Sequence, residues 1–210
     1  MNSKVNKKRG WFFVLEGIDG SGTTTQIKML AQALRNRGAK VHTTAEPSEG
    51  PVGKFIRAVL RGETSLSAEG LALAFAADRI HHIQTEIQPK MDGGHIVLSD
   101  RYVLSSLVYQ SQSLPVEWVR EINKNAIPCD QCFLLDIPSD EAAKRRASRG
   151  EPDEIFDAQE LQKQIANTYQ SLITDDSFGV GQTIDGSKSI AEVNHELMQK
   201  IGCIIDSPSN

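Results

Sequence analysis

The stretch Gly17-Ile-Asp-Gly-Ser-Gly22-Thr-Thr-Thr25 decides the fold of this chain. It separates an apolar run, residues 11–15, from a segment whose apolar residues recur every three or four positions. A buried strand, a glycine-rich loop and an amphipathic helix in this order are typical of a phosphate-binding loop. Glycines allow a tight turn whose backbone N–H groups point inward, and the helix N-terminus adds positive potential.

The loop matches the pattern G-x-x-x-x-G-K-[ST] at every fixed position except one. Gly17 and Gly22 have the required separation, and Thr24 stands where a hydroxyl can bind magnesium. Thr23 stands where the pattern has lysine, so an ordinary strand-to-helix turn is the alternative. We predict a polyphosphate site that lacks the positive charge of the usual lysine. The predicted phosphate-binding residues are Gly17, Asp19, Gly20, Ser21, Gly22, Thr23, Thr24 and Thr25.

Strand and helix patterns alternate along the whole chain. Further strands are predicted at residues 40–45, 95–100, 132–137 and 182–185. A short helix is predicted at about residues 54–60. A long apolar helix is predicted from residue 68 to residue 88, ending before Pro89, and the closing helix is predicted at 189–201. Alternation of this kind implies parallel strands joined by right-handed crossovers. The prediction is an α/β, three-layer P-loop NTPase fold with a parallel five-stranded sheet flanked by helices.

Length and composition set further bounds. A chain of 210 residues with a net charge of −4 fits one soluble domain and argues against general binding to nucleic acid or membrane surfaces. No apolar run is long enough to span a bilayer, so we expect a cytoplasmic protein. The predicted parts are a disordered basic tail (1–10), one domain (11–203) with a lid at about 143–157, and a C-terminal tail (204–210).

Cys129 and Cys132 form a C-x-x-C pair. Such a pair can be redox-active or supply half of a zinc site, but no second pair completes four ligands. Because Cys132 begins a predicted strand, buried packing is the favoured interpretation.

Two groups of charged residues are candidates for function. Asp100 and Arg101 follow the strand at 95–100, and ligands of open α/β sheets gather at the carboxyl ends of strands. Asp100 could hold magnesium and Arg101 a phosphate. Arg145, Arg146 and Arg149 precede a polar break, which suits either a lid over polyphosphate or a solvated basic face.

A further charged pair, Asp78-Arg79, lies within the apolar helix at 68–88. It could form a solvated stripe or face a functional site, and composition does not decide between the two.

Four segments together resemble the thymidylate kinase family in its bacterial form, and the resemblance extends from about residue 12 to residue 201. They are Glu16-Gly-Ile-Asp-Gly-Ser-Gly22 with Thr24-Thr-Gln26, Glu46-Pro47, Leu73-Ala-Phe-Ala-Ala-Asp-Arg79 and Asp100-Arg-Tyr-Val-Leu-Ser-Ser-Leu-Val-Tyr-Gln110. Members of the family transfer the γ-phosphoryl group of ATP to dTMP. The resemblance implies ATP and dTMP as substrates, Mg²⁺ as cofactor and a homodimer.

The resemblance also implies roles for individual residues at the nucleoside. Phe75 matches an aromatic that stacks on thymine, and Arg79 an arginine that donates to a thymine carbonyl. Tyr109 matches a tyrosine that excludes a ribose 2′-hydroxyl, and Asp19 an acid that meets the 3′-hydroxyl. Ser105, Ser106 and Gln110 complete the set of residues expected around dTMP.

Other matches concern the phosphates. Arg57 and Arg101 match arginines on the dTMP phosphate. Glu46 and Asp100 match acids near the metal and the acceptor phosphate, and Thr24 and Asp100 are the expected metal ligands. The implied mechanism is direct in-line transfer without a covalent intermediate.

The chain departs from the family pattern at three places: Thr23 replaces lysine, Ala45 replaces an arginine, and Glu154-Ile-Phe-Asp157 replaces an Asp-Arg pair in the lid. We hypothesise that Arg145, Arg146 or Arg149 supplies the missing charge. The alternatives are a nucleotide binder without catalysis and a deoxynucleoside kinase with Glu46 as general base.

Overall fold

A computed structural model describes residues 9–148, 156 and 159–207. The strands are β1 (Trp11–Glu16), β2 (Val41–Ala45), β3 (Ile96–Asp100), β4 (Gln131–Asp136) and β5 (Gly181–Asp185). The α-helices are α1 (Thr23–Asn36), α2 (Pro51–Leu60), α3 (Ala68–His82), α4 (Gln88–Asp92), α5 (Val103–Tyr109), α6 (Val116–Asn123), α7 (Ser139–Ala147), α8 (Gln159–Leu172) and α9 (Ile190–Asp206). Shorter helical turns lie at Ile83–Ile87, Gln110–Gln112 and Asp176–Phe178.

The five strands form one parallel sheet in the order β2-β3-β1-β4-β5, which confirms the predicted sheet. β1 lies in the middle, with Leu15 beside Asp100 of β3 and beside Phe133 of β4. Because all strands are parallel, their carboxyl ends lie on one edge. The loop after β1 and the residues after β3 therefore meet at this edge.

Alternate residues of β1 pack into two separate cores. Phe12 and Val14 join the cluster that packs against α5 and α8, whereas Phe13 and Leu15 join the cluster beneath α1 and α9. Each fully buried side chain of this size contributes about 1.5–3 kcal/mol relative to an exposed one. A strand buried on both faces rigidly fixes the start of the glycine loop.

The helix predicted to stop before Pro89 continues through it. After α3 the chain forms a wider π-helical turn, in which the Gln88 N–H donates to Ile83 O, five residues back. Pro89 follows this wide turn as the second residue of α4. The usual stop signal fails here because the wide turn accommodates the proline ring.

Two other boundaries differ from prediction. The helix expected at 54–60 begins at Pro51, a residue well suited to a first helical turn. The closing helix ends at Asp206 rather than at residue 201, because Ile204 and Ile205 pack against the α1–α9 core. Residues 204–206, predicted as part of a tail, are its last turn.

Parts of the predicted tail and lid lie outside the described residues. These parts are residues 1–8 and the segment that contains Arg149 and Glu154. Among the residues that are described, no helix has the length and apolar character needed to cross a membrane.

Cys129 and Cys132 are buried free thiols, in agreement with the packing interpretation. A hydrogen bond with Cys129, together with burial, raises the pKa of the Cys132 thiol. Within residues 9–148, 156 and 159–207, no cluster of three or more His, Cys, Asp or Glu could hold a metal ion.

Candidate active site

The glycine loop joins β1 to α1. Gly20 and Gly22 have φ angles of 94° and 98°, a region that glycine enters without steric cost. A Cβ atom on Gly20 would lie 2.5 Å from the carbonyl oxygen of Ala142 in α7. The loop therefore needs glycine both for its turn and for the close approach of α7.

Two successive threonines in the first turn of α1 have different surroundings. Thr23, at the position of the missing lysine, is buried, whereas Thr24 is exposed. Thr24 Oγ1 donates to Asp100 Oδ2 at 2.5 Å, so the two predicted metal ligands lie together as expected. A hydroxyl and a carboxylate are oxygen donors of the kind Mg²⁺ prefers, and they leave positions for water and phosphate oxygens.

A cavity of about 200 Å³ opens beside the loop. We call it the Arg79 cavity. It brings together every residue that the resemblance assigns to dTMP: Asp19, Arg57, Phe75, Arg79, Arg101, Ser105, Ser106, Tyr109 and Gln110. Glu46 and Phe156 also line it. Residues scattered over more than ninety positions of sequence thus share one concave surface, as a small-molecule site requires.

Arg79 forms the floor of this cavity and is only 1% exposed. Its Nε donates to Glu46 Oε2 at 2.9 Å, and its Nη2 donates to Ser106 Oγ at 2.9 Å and to Tyr102 O at 3.1 Å. Nη1 donates to Asn123 Oδ1. Its burial and these bonds exclude a solvated stripe, and Arg79 lines the cavity. Its donation to a thymine carbonyl stays a prediction.

Glu46 lies in the same buried network. One carboxylate oxygen pairs with Arg79, and the other lies 3.2 Å from His82 Nδ1. A buried ion pair needs such full hydrogen bonding to offset its loss of water. Glu46 is therefore held as a structural partner of Arg79 in this conformation.

Asp78 and Arg57 fix the loop that follows Glu46-Pro47. Asp78 accepts hydrogen bonds from Ser48 N and Ser48 Oγ, both at 2.6 Å. Arg57 donates to Ser48 O and Pro47 O, again at 2.6 Å, and pairs with Glu49 at 2.9 Å. The guanidinium that is expected to bind phosphate thus stands at the cavity wall, beside this loop.

Arg101 stands between the Arg79 cavity and the glycine loop. Its φ of 70° is unusual for a residue other than glycine. Nη2 donates to Asp19 Oδ1 at 2.6 Å, and the guanidinium lies 5.1 Å from the centre of the Tyr109 ring. Burial opposes its charge, but Tyr109 and Asp19 hold the pKa of Arg101 well above its ordinary value.

Asp19 is the carboxylate that joins these groups. Its Oδ2 accepts a hydrogen bond from the Tyr109 hydroxyl at 3.1 Å. Burial tends to raise the pKa of Asp19, but Arg101 and Tyr109 outweigh it and lower the pKa. Asp19 is therefore ionised at neutral pH and can accept a hydrogen bond from a sugar hydroxyl.

The predicted lid arginines have different partners. Arg146 Nη1 donates to the backbone oxygen of Asp19 at 2.6 Å, so Arg146 touches the glycine loop. Arg145 pairs with Glu141 and donates to Gly186 O at 3.2 Å, which braces the loop after β5. Arg149 lies outside the described residues.

A second cavity, of about 500 Å³, flanks the other side of the loop. We call it the glycine-loop cavity. Gly20, Ser21, Gly22 and Thr25 line one wall, as predicted for phosphate binding. Arg145, Lys188 and Ile190 line another. Gly17, Thr23 and Thr24 border the turn without lining this cavity.

Several residues of the site carried no signal in the sequence. Asn123 of α6 binds Arg79, Tyr169 of α8 contacts Arg101, and Phe156 packs edge-on against Tyr109 with ring centres 5.2 Å apart. Asn123 and Tyr169 belong to helices that only tertiary packing brings to the site, and Phe156 precedes α8. Glu16 belongs to a segment that matches the family, but the sequence did not predict its buried contacts.

The fold and the two cavities define a class. A glycine loop between a central parallel strand and a helix, with a nucleoside-sized cavity on one side and a larger one on the other, is the arrangement of a P-loop kinase of small molecules. The chain belongs to the thymidylate kinase family, whose model matches residues 15–197.

Relatives agree with this assignment. The chain is 39% identical over 206 residues to a probable thymidylate kinase of Thermococcus kodakarensis, covering 92% of this chain and 98% of the relative. It is 42% identical over 197 residues to a probable thymidylate kinase of Methanococcus maripaludis, covering 90% and 94%. Another, from Pyrococcus abyssi, is 38% identical over 196 residues, covering 90% and 95%. These relatives are archaeal, which corrects the expected bacterial form.

Proposed function

We propose that this protein transfers the γ-phosphoryl group of ATP to dTMP and releases dTDP and ADP. The observation that carries the proposal is the Arg79 cavity, because all residues expected around dTMP line it. Family membership supports the same reaction. Arg101 and Asp19 join this cavity to the glycine loop, which supports in-line transfer between two substrates bound side by side.

The chain's own residues bind and orient the substrates. Phe75 offers an aromatic face to the base, and Arg57 and Arg101 offer guanidinium groups to the acceptor phosphate. Because that phosphate is already an anion at neutral pH, no general base is required. Thr24 and Asp100 would hold Mg²⁺, which when bound neutralises charge on the donor phosphates.

Arg146 is the proposed substitute for the missing lysine. Among the lid arginines that the structure describes, it is the one bonded to the backbone of the glycine loop. A guanidinium there lies next to the loop that is expected to hold the donor phosphates. Arg145 is already paired with Glu141 and Gly186, so a smaller contribution is expected from it.

The decisive experiment is a coupled assay of ADP release with ATP and Mg²⁺. We expect turnover with dTMP and none with thymidine, and we would run dUMP in parallel. Absence of turnover despite dTMP binding in a thermal-shift control would instead support the nucleotide binder without catalysis, the alternative that Thr23 favours.

The substitute charge can be tested separately. Arg146→Ala should lower kcat about a hundredfold, which is the usual cost of losing one preorganised donor. Thr23→Lys added to Arg146→Ala should recover a large part of that loss. Unchanged turnover in Arg146→Ala, or no recovery in the double variant, would rule out this role for Arg146.

The deoxynucleoside kinase alternative needs Glu46 as a general base. Both carboxylate oxygens of Glu46 face buried partners, Arg79 and His82, and Glu46 is 6% exposed. A base so engaged is poorly placed to take a proton from a sugar hydroxyl, and we therefore favour the monophosphate as acceptor.

The state and location of the protein are also proposals. Phe55 of α2 and Leu73 of α3 are exposed apolar side chains, which supports the homodimer implied by the family resemblance. Light scattering at several concentrations would test it. We further propose a cytoplasmic protein without nucleic-acid partners, on the basis of its acidic charge and free cysteines.

A further inference from the structure

Glu16, the last residue of β1, is a carboxylate buried completely behind the site. Its Oε1 accepts hydrogen bonds from the backbone N–H groups of Tyr102 at 2.8 Å and Ser105 at 3.2 Å. Its Oε2 accepts from Ser105 Oγ at 2.5 Å and from the Tyr169 hydroxyl at 3.0 Å. One oxygen therefore caps the start of α5, and the other binds two hydroxyl groups.

The same two hydroxyl groups contact Arg101. Its Nη1 lies 3.1 Å from Ser105 Oγ and 3.1 Å from the Tyr169 hydroxyl. A guanidinium can only donate hydrogen bonds, so both hydroxyl oxygens accept from Arg101. Each hydroxyl must therefore direct its own proton to another acceptor.

Only a few acceptors are within reach of those protons. Ser105 Oγ and the Tyr169 hydroxyl are 2.8 Å apart, so one can donate to the other. In every such arrangement the chain of donors ends on Glu16 Oε2.

We propose that Glu16 and Tyr169 are positioning residues for Arg101, and this inference rests on the proposed function. The buried carboxylate orients the two hydroxyl groups so that their lone pairs face Nη1 of Arg101. Asp19 holds Nη2 from the other side at 2.6 Å. These bonds use three of the five N–H donors of Arg101, which leaves the others for the acceptor phosphate in the Arg79 cavity.

Tyr169 gives this arrangement a link to the lid. It belongs to α8, the helix that follows the predicted lid, and its hydroxyl reaches β1 and α5. The position of Arg101 therefore depends on how α8 packs against β1 and α5. Phe156, just before α8, closes the Arg79 cavity beside Tyr109.

The experiment compares binding of dTMP with binding of thymidine, because the two differ only in the phosphate. Tyr169→Phe removes one hydroxyl while leaving the Glu16 cap on α5 intact. We expect about tenfold weaker dTMP binding and unchanged thymidine binding, as measured by calorimetry on the full chain. Glu16→Gln, which presents an amide donor to the same hydroxyls, should have a larger effect of the same kind.

Two controls separate positioning from general damage. Thr168→Val removes the neighbouring hydroxyl of α8, which bonds to Gln164 and Gln112, and should leave both affinities unchanged. In an Arg101→Ala background, Tyr169→Phe should cause no further loss of dTMP affinity, because the two residues act through one contact.

The outcomes distinguish this inference from the proposed function. Equal weakening of dTMP and thymidine in Tyr169→Phe, or a full tenfold loss in the Arg101→Ala background, would overturn the positioning role. If the variants show the expected changes in affinity but the wild-type protein shows no turnover, only the proposed kinase activity would be contradicted.

Discussion

The Arg79 cavity and the glycine-loop cavity are built in different ways. At the first, charged side chains are buried and already bonded to one another, as Asp78 at 1% and Glu46 at 6% exposure show. At the second, Lys188 (43% exposed) and Arg145 (33%) pair with acids near the surface. Buried pairs are costly to break, whereas surface pairs contribute little and exchange partners readily. The charged side chains of the first cavity are therefore held more firmly by the folded chain than those of the second.

The largest expected effect breaks the buried network of the Arg79 cavity. Glu46→Ala leaves the guanidinium of Arg79 buried without its charge partner. We expect a loss of about 3–5 kcal/mol in the free energy of unfolding, measured by urea denaturation. Glu196→Ala breaks the near-surface pair with Lys188 at the glycine-loop cavity and should cost no more than about 1 kcal/mol. Similar losses in the two variants would show that the two regions do not differ in this way.

The sequence predicted the secondary structure of both regions well. It predicted most residues that line the Arg79 cavity but not the partners that hold them. Strand and helix periodicity indicated all five strands, because each needs only a local apolar pattern. The residues around the Arg79 cavity came from matching segments, and Asp78-Arg79 could not be interpreted from composition. Their partners, such as Asn123 and Tyr169, lie on helices whose packing no local pattern specifies. The predicted helix end before Pro89 was wrong because a π-helical turn overrides the usual stop signal.

A second prediction removes the apolar wall of the Arg79 cavity. Phe75→Ala should raise the KM for dTMP about tenfold, since the lost aromatic contact contributes roughly 1–2 kcal/mol. The KM for ATP should stay the same, because Phe75 lines the Arg79 cavity and not the glycine-loop cavity. Val180→Ala is the control: this valine is exposed just before β5 and lines neither cavity. Equal changes in both KM values would mean that the cavities are not independent.

A third prediction concerns Glu16, which lies behind the Arg79 cavity and is bonded to Ser105 in its wall. Burial raises the pKa of Glu16 above its ordinary value near 4.5, and bonds from Ser105 only partly oppose it. The folded protein therefore holds this proton more tightly than the unfolded chain does. As the pH rises from 4.5 to the raised pKa, the contribution of Glu16 to stability falls by about 1.4 kcal/mol for each pH unit.

Comparison with Glu16→Gln isolates this contribution, because the amide does not titrate. The free energy of unfolding of the wild type, minus that of the variant, should decrease between pH 4.5 and neutral pH. Urea denaturation at half-unit steps of pH would measure it. A difference that increases with pH would mean that the hydrogen bonds outweigh burial and lower the pKa.

The smallest expected effect is at the glycine-loop cavity. Arg145 is braced by Glu141 and by Gly186 O at 3.2 Å, on the edge of that cavity. Arg145→Ala should raise the KM for ATP by about two- to fivefold, as expected for one partly exposed charged contact, and leave the KM for dTMP unchanged. The loss should be far smaller than that of Arg146→Ala, because Arg146 touches the loop backbone itself. A hundredfold loss of kcat in Arg145→Ala would instead assign the missing lysine's charge to Arg145. That result would also mean that the Glu141 pair opens when ATP binds.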